Sequence, residues 1–252
     1  MKILFIGDIY GEPGVNYLIE NLKYLKQEYH PNLIIANAEN SSNGRGINKE
    51  IYKKLMKSGV SLLTMGNHTW KNPALKTFIE ESNIIRPIND GSNLGVGYKV
   101  INYNNIKVLV INALGVAFMN EKYEAPYLMI EKVLNEIPHD YSFLDFHAEA
   151  TAEKIALAYY LDGKLDMMVG THTHVQTNDQ NIYPKGLMYI TDVGMTGPKY
   201  GVIGVKKEVI INRFIFGGKE PNEVAKGPRQ LSAVLFTLTP KKSIKKIYLS
   251  EN

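Results

Sequence analysis

Histidine, asparagine and acidic residues gather in five places along this chain, each directly after an apolar run. Asp8 follows KILFIG, Glu39-Asn40 follows LIIANA, Asn67-His68 follows LLTMG, His147 follows SFLDF, and His172-x-His174 follows MMVGT. Imidazole nitrogen suits Fe, Mn, Co, Ni and Zn, and carboxylate and amide oxygens add harder donors. Two ions held side by side by such groups can clamp a phosphate oxygen and activate a water for in-line attack. A lone H-x-H pair is weakly specific, but Asn67-His68 and His147 bring four of the six histidines into one candidate site. His30 and His139, each beside a proline, read as surface-loop residues.

Donors this far apart share a pocket only if the runs before them are strands, because open α/β sheets bind ligands beyond the carboxyl ends of their strands. The pattern supports this. Lys2 to Ile6 reads as a buried strand, and Pro13 sits in the first turn of a helix whose Val15, Leu18, Ile19, Leu22 and Leu25 keep helical spacing. Residues 33–38 form the next expected strand. Asn48 can cap a short helix carrying Ile51, Leu55 and Met56, Gly59 can end it, and residues 60–65 make a third strand. Asn72-Pro73 is expected to open another helix. Such β-α alternation predicts parallel strands with right-handed crossovers.

Farther on, residues 96–103 and 106–113 flank Asn104-Asn105, a pattern that predicts an antiparallel hairpin with a tight turn. Helices are expected over 128–137 and 152–161, and strands over 141–146, 165–169, 187–190, 231–238 and 247–249. The total predicts an α/β protein of two packed sheets with helices outside, as one domain over residues 1–252. Residues 193–229 are rich in glycine, contain Pro198, Pro221 and Pro228, and surround a run at 209–216 that reads as helical or extended. This segment suits a lid, a substrate loop or an oligomer contact equally well.

The hydrophobic share of 44% and charged share of 21% are those of an ordinary globular protein. There is no cysteine, which excludes disulfides, thiolate zinc sites, iron–sulfur clusters and cysteine nucleophiles together. The start, MKILFIGD, meets an aspartate too soon for a signal peptide, and no uncharged run reaches membrane-spanning length, so a cytoplasmic protein is expected. A net charge of +4 is mild. Lys241, Lys242, Lys245 and Lys246 cluster, and read as a solubilising edge strand.

The motifs as a set resemble a known family. GDIYG at Asp8, AENSSNG around Glu39, GNHTW around Asn67, DFHAEATAEK around His147 and GTHTH ending at His174 are similar to the calcineurin-like metallophosphoesterases, most closely their YmdB-like bacterial branch. ITDVGMTGP and VIINRF are similar too, so the resemblance spans nearly the whole chain. It implies a four-layer α/β/β/α sandwich and a dinuclear centre of two divalent or trivalent ions, Fe or Mn first, with Zn, Co and Ni as alternatives. One ion would be held by Asp8, Asn40 and His174, the other by Asn67, His147 and His172, with Glu39 bridging and His68 just outside. Three departures from the broad superfamily stand out: Tyr10 where a D-x-H motif has histidine, Glu39 where the bridge is usually aspartate, and Thr69 where an acid commonly follows GNH.

The expected activity is phosphodiester hydrolysis, with small cyclic nucleotides, particularly 2′,3′-cyclic mononucleotides, as the implied substrates and RNA as a further partner. His68 is the candidate general acid, a role worth about 10²–10⁴-fold in rate. Arg45, in SSNGRG, suits a non-bridging phosphate oxygen or a solvated loop equally. The competing class is a regulatory protein that captures a nucleotide or RNA end without turnover. A dinuclear amidohydrolase would need H-x-H-x-D-H, whereas Val175, Gln176 and Thr177 follow the pair. No G-x-x-x-x-G-K-[ST] or G-x-S-x-G occurs.

Overall fold

A computed structural model describes all residues from Met1 to Asn252. The first half of the chain lays down β1 (Lys2–Ile6), β2 (Asp8–Ile9), α1 (Gly11–Tyr29), β3 (Leu33–Asn37), α2 (Lys49–Ser58), β4 (Leu62–Thr64) and β5 (Ile84–Ile85). Next come β6 (Tyr98–Tyr103), β7 (Ile106–Leu114), α3 (Tyr127–Glu136), β8 (Tyr141–His147), α4 (Thr151–Leu161) and β9 (Met167–Thr171). The last part holds β10 (Asn181–Ile182), β11 (Met188–Ile190), β12 (Met195–Pro198), α5 (Lys207–Phe216), β13 (Arg229–Thr237) and β14 (Ser243–Ser250).

These strands make two mixed sheets. In the first, β1, β3, β4 and β5 run parallel in that order, β13 pairs antiparallel with β1, and β14 closes the far edge against β13. The second has the order β10-β11-β9-β8-β7-β6, with β11, β9, β8 and β7 mutually parallel. Alternation along single strands builds the layers. Ile3 and Phe5 of β1 and Val108 and Val110 of β7 face a shared core between the sheets. Their neighbours Leu4 and Ile6 turn outward to α1, and Leu109 and Ile111 turn outward to α3 and α4. The result is the α/β/β/α sandwich.

Local signals act where the sequence puts them. The Asn48 side chain accepts from Ile51 N–H and caps α2, and Gly59 ends it at φ 99°. Asn104 and Asn105, at φ 48° and 65°, turn the hairpin between β6 and β7 in the left-handed conformation that its twist requires. Asn72 does cap a turn at Pro73, but the expected helix breaks into 3₁₀ pieces over Pro73–Thr77 and Ile79–Glu81. Leu75 and Phe78, three residues apart and both buried, suit the 3₁₀ period, and the chain then turns at once into β5. Residues 209–216 are helical, within α5.

Phe143 is wholly buried, stacked on Phe5 at 5.3 Å and edge-on to Phe236 at 6.0 Å. It joins β8 to both central strands of the other sheet. Phe143→Ala should therefore lower unfolding free energy by about 3–5 kcal/mol, read from urea denaturation.

Candidate metal centre

All five clusters meet at one end of the sandwich, on the seam between the sheets. Asp8, Glu39-Asn40 and Asn67-His68 arrive from β1, β3 and β4 of the first sheet, and His147, His172 and His174 from β8 and β9 of the second. Asp8, Glu39, Asn40, His147 and His174 are buried, and Asn67, His68 and His172 are half-buried. Close approach is permitted by small residues. A Cβ on Gly7 would strike the Gly194 carbonyl oxygen, and one on Gly66 would overlap Glu39 Oε2 and the His147 ring.

His147 sits at the centre. Its Nδ1–H donates to Thr171 Oγ1 at 2.9 Å, and that hydroxyl donates to Asp145 Oδ1 at 2.7 Å. Its Nε2 lies 3.0 Å from Asn67 Oδ1, 3.0 Å from His172 Nδ1 and 3.2 Å from Glu39 Oε1. One N–H thus faces three lone pairs, a convergence that a proton satisfies poorly and a metal ion satisfies well. Ligating atoms of Glu39, His147 and His172 all lie within 4.8 Å of one another. Asp8 Oδ1, 3.8 Å from His147 Nδ1 and 3.9 Å from His174 Nε2, is buried with no hydrogen-bond partner. Such an orphaned oxygen is rare in folded proteins, and here it points into a set of nitrogen and oxygen donors. The residues fit a metal centre.

Electrostatics agree. Burial raises the Asp8 carboxyl well above the usual range, the nearby His147 opposes it, and Asp192, Glu39 and Asp145 reinforce it. Burial would do the same to Glu39, but His147 and His68 hold it well below the usual value. His147 is pushed down by burial yet driven up to about 9 overall by Glu39, Asp8 and Asp145, so it stands in as the pocket's cation. Burial, then the charge of His147, pushes His172 down to about 3, leaving a neutral imidazole of the kind that binds metals.

The two histidines of GTHTH enter one pocket because the loop bends. His172 and His174 have φ of 103° and 67°, left-handed values that side chains with a Cβ seldom adopt. A buried ion pair that sequence reading missed fixes this bend. Lys154 Nζ on α4 reaches Asp192 Oδ2 at 3.0 Å and Thr171 O at 2.9 Å, while Asp192 Oδ2 accepts from Thr173 N. Lys154 shares its helix face with Leu157, Ala158 and Leu161, so a lysine on the apolar stripe was the available signal. His174 is further held through Nδ1 on Ile203 O at 2.9 Å, and His172 through Nε2 on Glu149 Oε2 at 3.2 Å.

Asn40 is pinned to Tyr10 by a backbone bridge, and Tyr10 lies edge-on to His174 at 5.6 Å. Asn40 Nδ2 donates to Glu39 Oε1 at 3.0 Å and lies 3.2 Å from His174 Nε2, while its Oδ1 accepts from His68 Nδ1 at 2.6 Å. Half a turn of the amide would place Oδ1 between Glu39 and His174, as a ligand requires. The cleft above, of about 320 Å³, is lined by His68, Arg45, Glu149, His172 and His174 among others.

A profile of the family described as YmdB-like protein matches residues 4–248. The chain belongs to the YmdB-like family. It is 42% identical over 252 residues to the 2′,3′-cyclic-nucleotide 2′-phosphodiesterase of Bacillus subtilis (strain 168), covering 97% of this chain and 95% of that protein. Two solved structures share the fold closely. A hypothetical protein from Thermus thermophilus superposes with a TM-score of 0.95 at 34% identity, over 100% of both chains. A novel phosphatase of Mycoplasma pneumoniae gives 0.94 at 39% identity, over 100% of this chain and 94% of that one. The similarity of the motif set to metallophosphoesterases thus extends to a YmdB-like fold over the whole chain.

Partners that orient a metal-binding histidine typically change metal affinity by about 10–100-fold when removed. Thr171→Val, which cuts the link from His147 to Asp145, should weaken Mn²⁺ binding by about that factor while the far-UV circular dichroism stays that of the wild type. Titration calorimetry of metal-stripped protein measures it.

Proposed function

We propose that this YmdB-like chain is a metal-dependent phosphodiesterase of small cyclic nucleotides, 2′,3′-cyclic mononucleotides in particular. The coarser class is secure: it is an enzyme, a hydrolase of phosphoric ester bonds. The observation that carries the finer reading is the orphaned, buried Asp8 Oδ1 among nitrogen and oxygen donors drawn from both sheets. Asp8, Asn40 and His174 would hold one ion and Asn67, His147 and His172 the other, with Glu39 shared, Fe or Mn being preferred. Such ions supply Lewis acidity toward a phosphoryl oxygen and an acidified water as nucleophile.

The chain's own groups do the rest. His68 lines the cleft with Nδ1 set against the Asn40 amide, which leaves Nε2 as the atom to protonate the departing alkoxide. Its backbone N–H also donates to Glu39 Oε2 at 2.8 Å, so His68 and the carboxylate that would be shared are set by one another. Arg45 lines the same cleft, makes no ion pair within the protein, and is free to bind a non-bridging phosphate oxygen.

Bis-p-nitrophenyl phosphate with added Mn²⁺ or Fe²⁺ tests the activity, and a folded, metal-loaded protein inert toward every diester would overturn it. His68→Ala should keep its metal and lose about 10²–10⁴-fold in kcat. Asn67→Ala should instead lose metal along with rate, as elemental analysis of the purified variant would record. Tight nucleotide binding with the nucleotide recovered intact would favour a regulatory binder.

A further inference from the structure

The cleft over the metal centre does not end at Tyr10. A second cavity of about 320 Å³ continues from it, sharing Tyr10, Gly44, Arg45 and Asn222 with the first and adding Asn43, Arg213 and Pro221. Tyr10 is the partition. A Cβ on Gly44 or on Gly204 would run into its ring or hydroxyl, so the ring is wedged between the Arg45 loop and the segment before α5.

The second cavity has the chemistry of an anion site. Two guanidinium groups line it and no carboxylate does. Arg213, on α5, uses Nη2 alone, donating to Glu220 O at 2.9 Å and Asn222 Oδ1 at 2.8 Å. Those two bonds anchor the fork, and Nε and Nη1 donate to nothing in the protein. Glu220, whose backbone carbonyl Arg213 contacts, has its side chain engaged by the Asn212 amide. A guanidinium held on one side, with its remaining donors open, presents the planar fork that phosphate accepts. Asn43 and Asn222 add neutral donors and acceptors beside it.

Chemistry fixes which part of a substrate would reach this cavity. In a 2′,3′-cyclic phosphate both ribose oxygens at the reacting end are already esterified, so O5′ is the remaining ribose oxygen able to carry another phosphate. With the cyclic phosphate over the metal donors, a phosphate on O5′ is the one that an anion site farther along the cleft can receive. We propose that the cavity beyond Tyr10 is a second phosphate subsite, with Arg213 as its anchor, and that preferred substrates bear a phosphate on the 5′ side of the cyclic one. This rests on the phosphodiesterase reading of the metal site. It also gives residues 193–229 a role as a substrate loop. The second phosphate has two chemical sources, the 5′-phosphate of a mononucleotide or the internucleotide link of an oligoribonucleotide ending in a cyclic phosphate.

The test compares adenosine 2′,3′-cyclic phosphate, its 5′-phosphorylated form, and the dinucleotide ApA ending in a 2′,3′-cyclic phosphate, using Mn²⁺-loaded wild type and Arg213→Gln. One or both of the latter substrates should exceed the first by about tenfold or more in kcat/KM, through KM, since the second phosphate gains a charge-assisted bond that the first substrate cannot make. Preference for the 5′-phosphorylated mononucleotide alone assigns the subsite to a terminal phosphate; preference for the dinucleotide assigns it to an internucleotide link. Arg213→Gln should bring the three within about twofold. Equal kcat/KM for all three in the wild type, or a preference that survives the substitution, overturns the proposal. Calorimetric binding of adenosine 3′,5′-bisphosphate against adenosine 3′-monophosphate separates the two readings. If bis-p-nitrophenyl phosphate and every nucleotide go uncleaved, the activity is wrong, yet the bisphosphate must still bind more tightly than the monophosphate, and lose that advantage in Arg213→Gln, for the subsite to stand.

Discussion

Four carboxylates, Asp8, Glu39, Asp145 and Asp192, are buried where the two sheets meet, and like charges in a low-dielectric interior repel unless cations lie among them. The architecture around the site answers that constraint. Lys154 brings one ammonium group, wholly buried against Asp192. Asp145 is satisfied by neutral donors, the hydroxyls of Thr64 and Thr171 and the Asn37 amide. Asp8 and Glu39 are left with His147 as their nearest cation, together with a cluster of donors suited to metal. Buried ion pairs seldom add net stability over apolar packing, so the Lys154–Asp192 pair is better understood as fixing geometry. What it fixes is the left-handed bend that turns both histidines of GTHTH inward.

The convergence of the candidate site's residues was legible in the sequence because they obey a local rule: polar side chains at the carboxyl ends of apolar runs. The fold was legible for a similar reason. Strand alternation, the Asn48 and Gly59 caps and the Asn104-Asn105 turn each depend on residues within a few positions of one another. The Asn72-Pro73 helix failed because the period of its buried residues and the nearness of β5 overrode a good capping signal. Lys154 and Asp192 were invisible for another reason. Each is ordinary alone, and their pairing across 38 positions exists only once β9 and α4 are packed. Glu149 and Arg213 belong with them, since only the folded chain shows which acid faces His172 and which guanidinium borders the cleft.

One departure expected from the resemblance, Tyr10, has a physical counterpart. Tyr10 occupies a histidine's place and supplies shape, fixing Asn40 through the backbone and packing edge-on against His174. Its ring also borders both cavities of the cleft. The lysine-rich end behaves as a protected edge. Lys242, Lys245 and Lys246 of the β14 region are directed onto Asp166, the Tyr29 ring and Thr177 O, leaving a charged border instead of a bare strand.

Because four of the seven donors come from one sheet and three from the other, the centre straddles the line along which the sandwich would come apart. Ions gripped there would act as rivets between two halves of the chain, adding to folding stability in proportion to the logarithm of their free concentration. A cell starved of the right cation would then lose copies of this protein to unfolding and proteolysis as well as losing their turnover. Metal supply would set its lifetime.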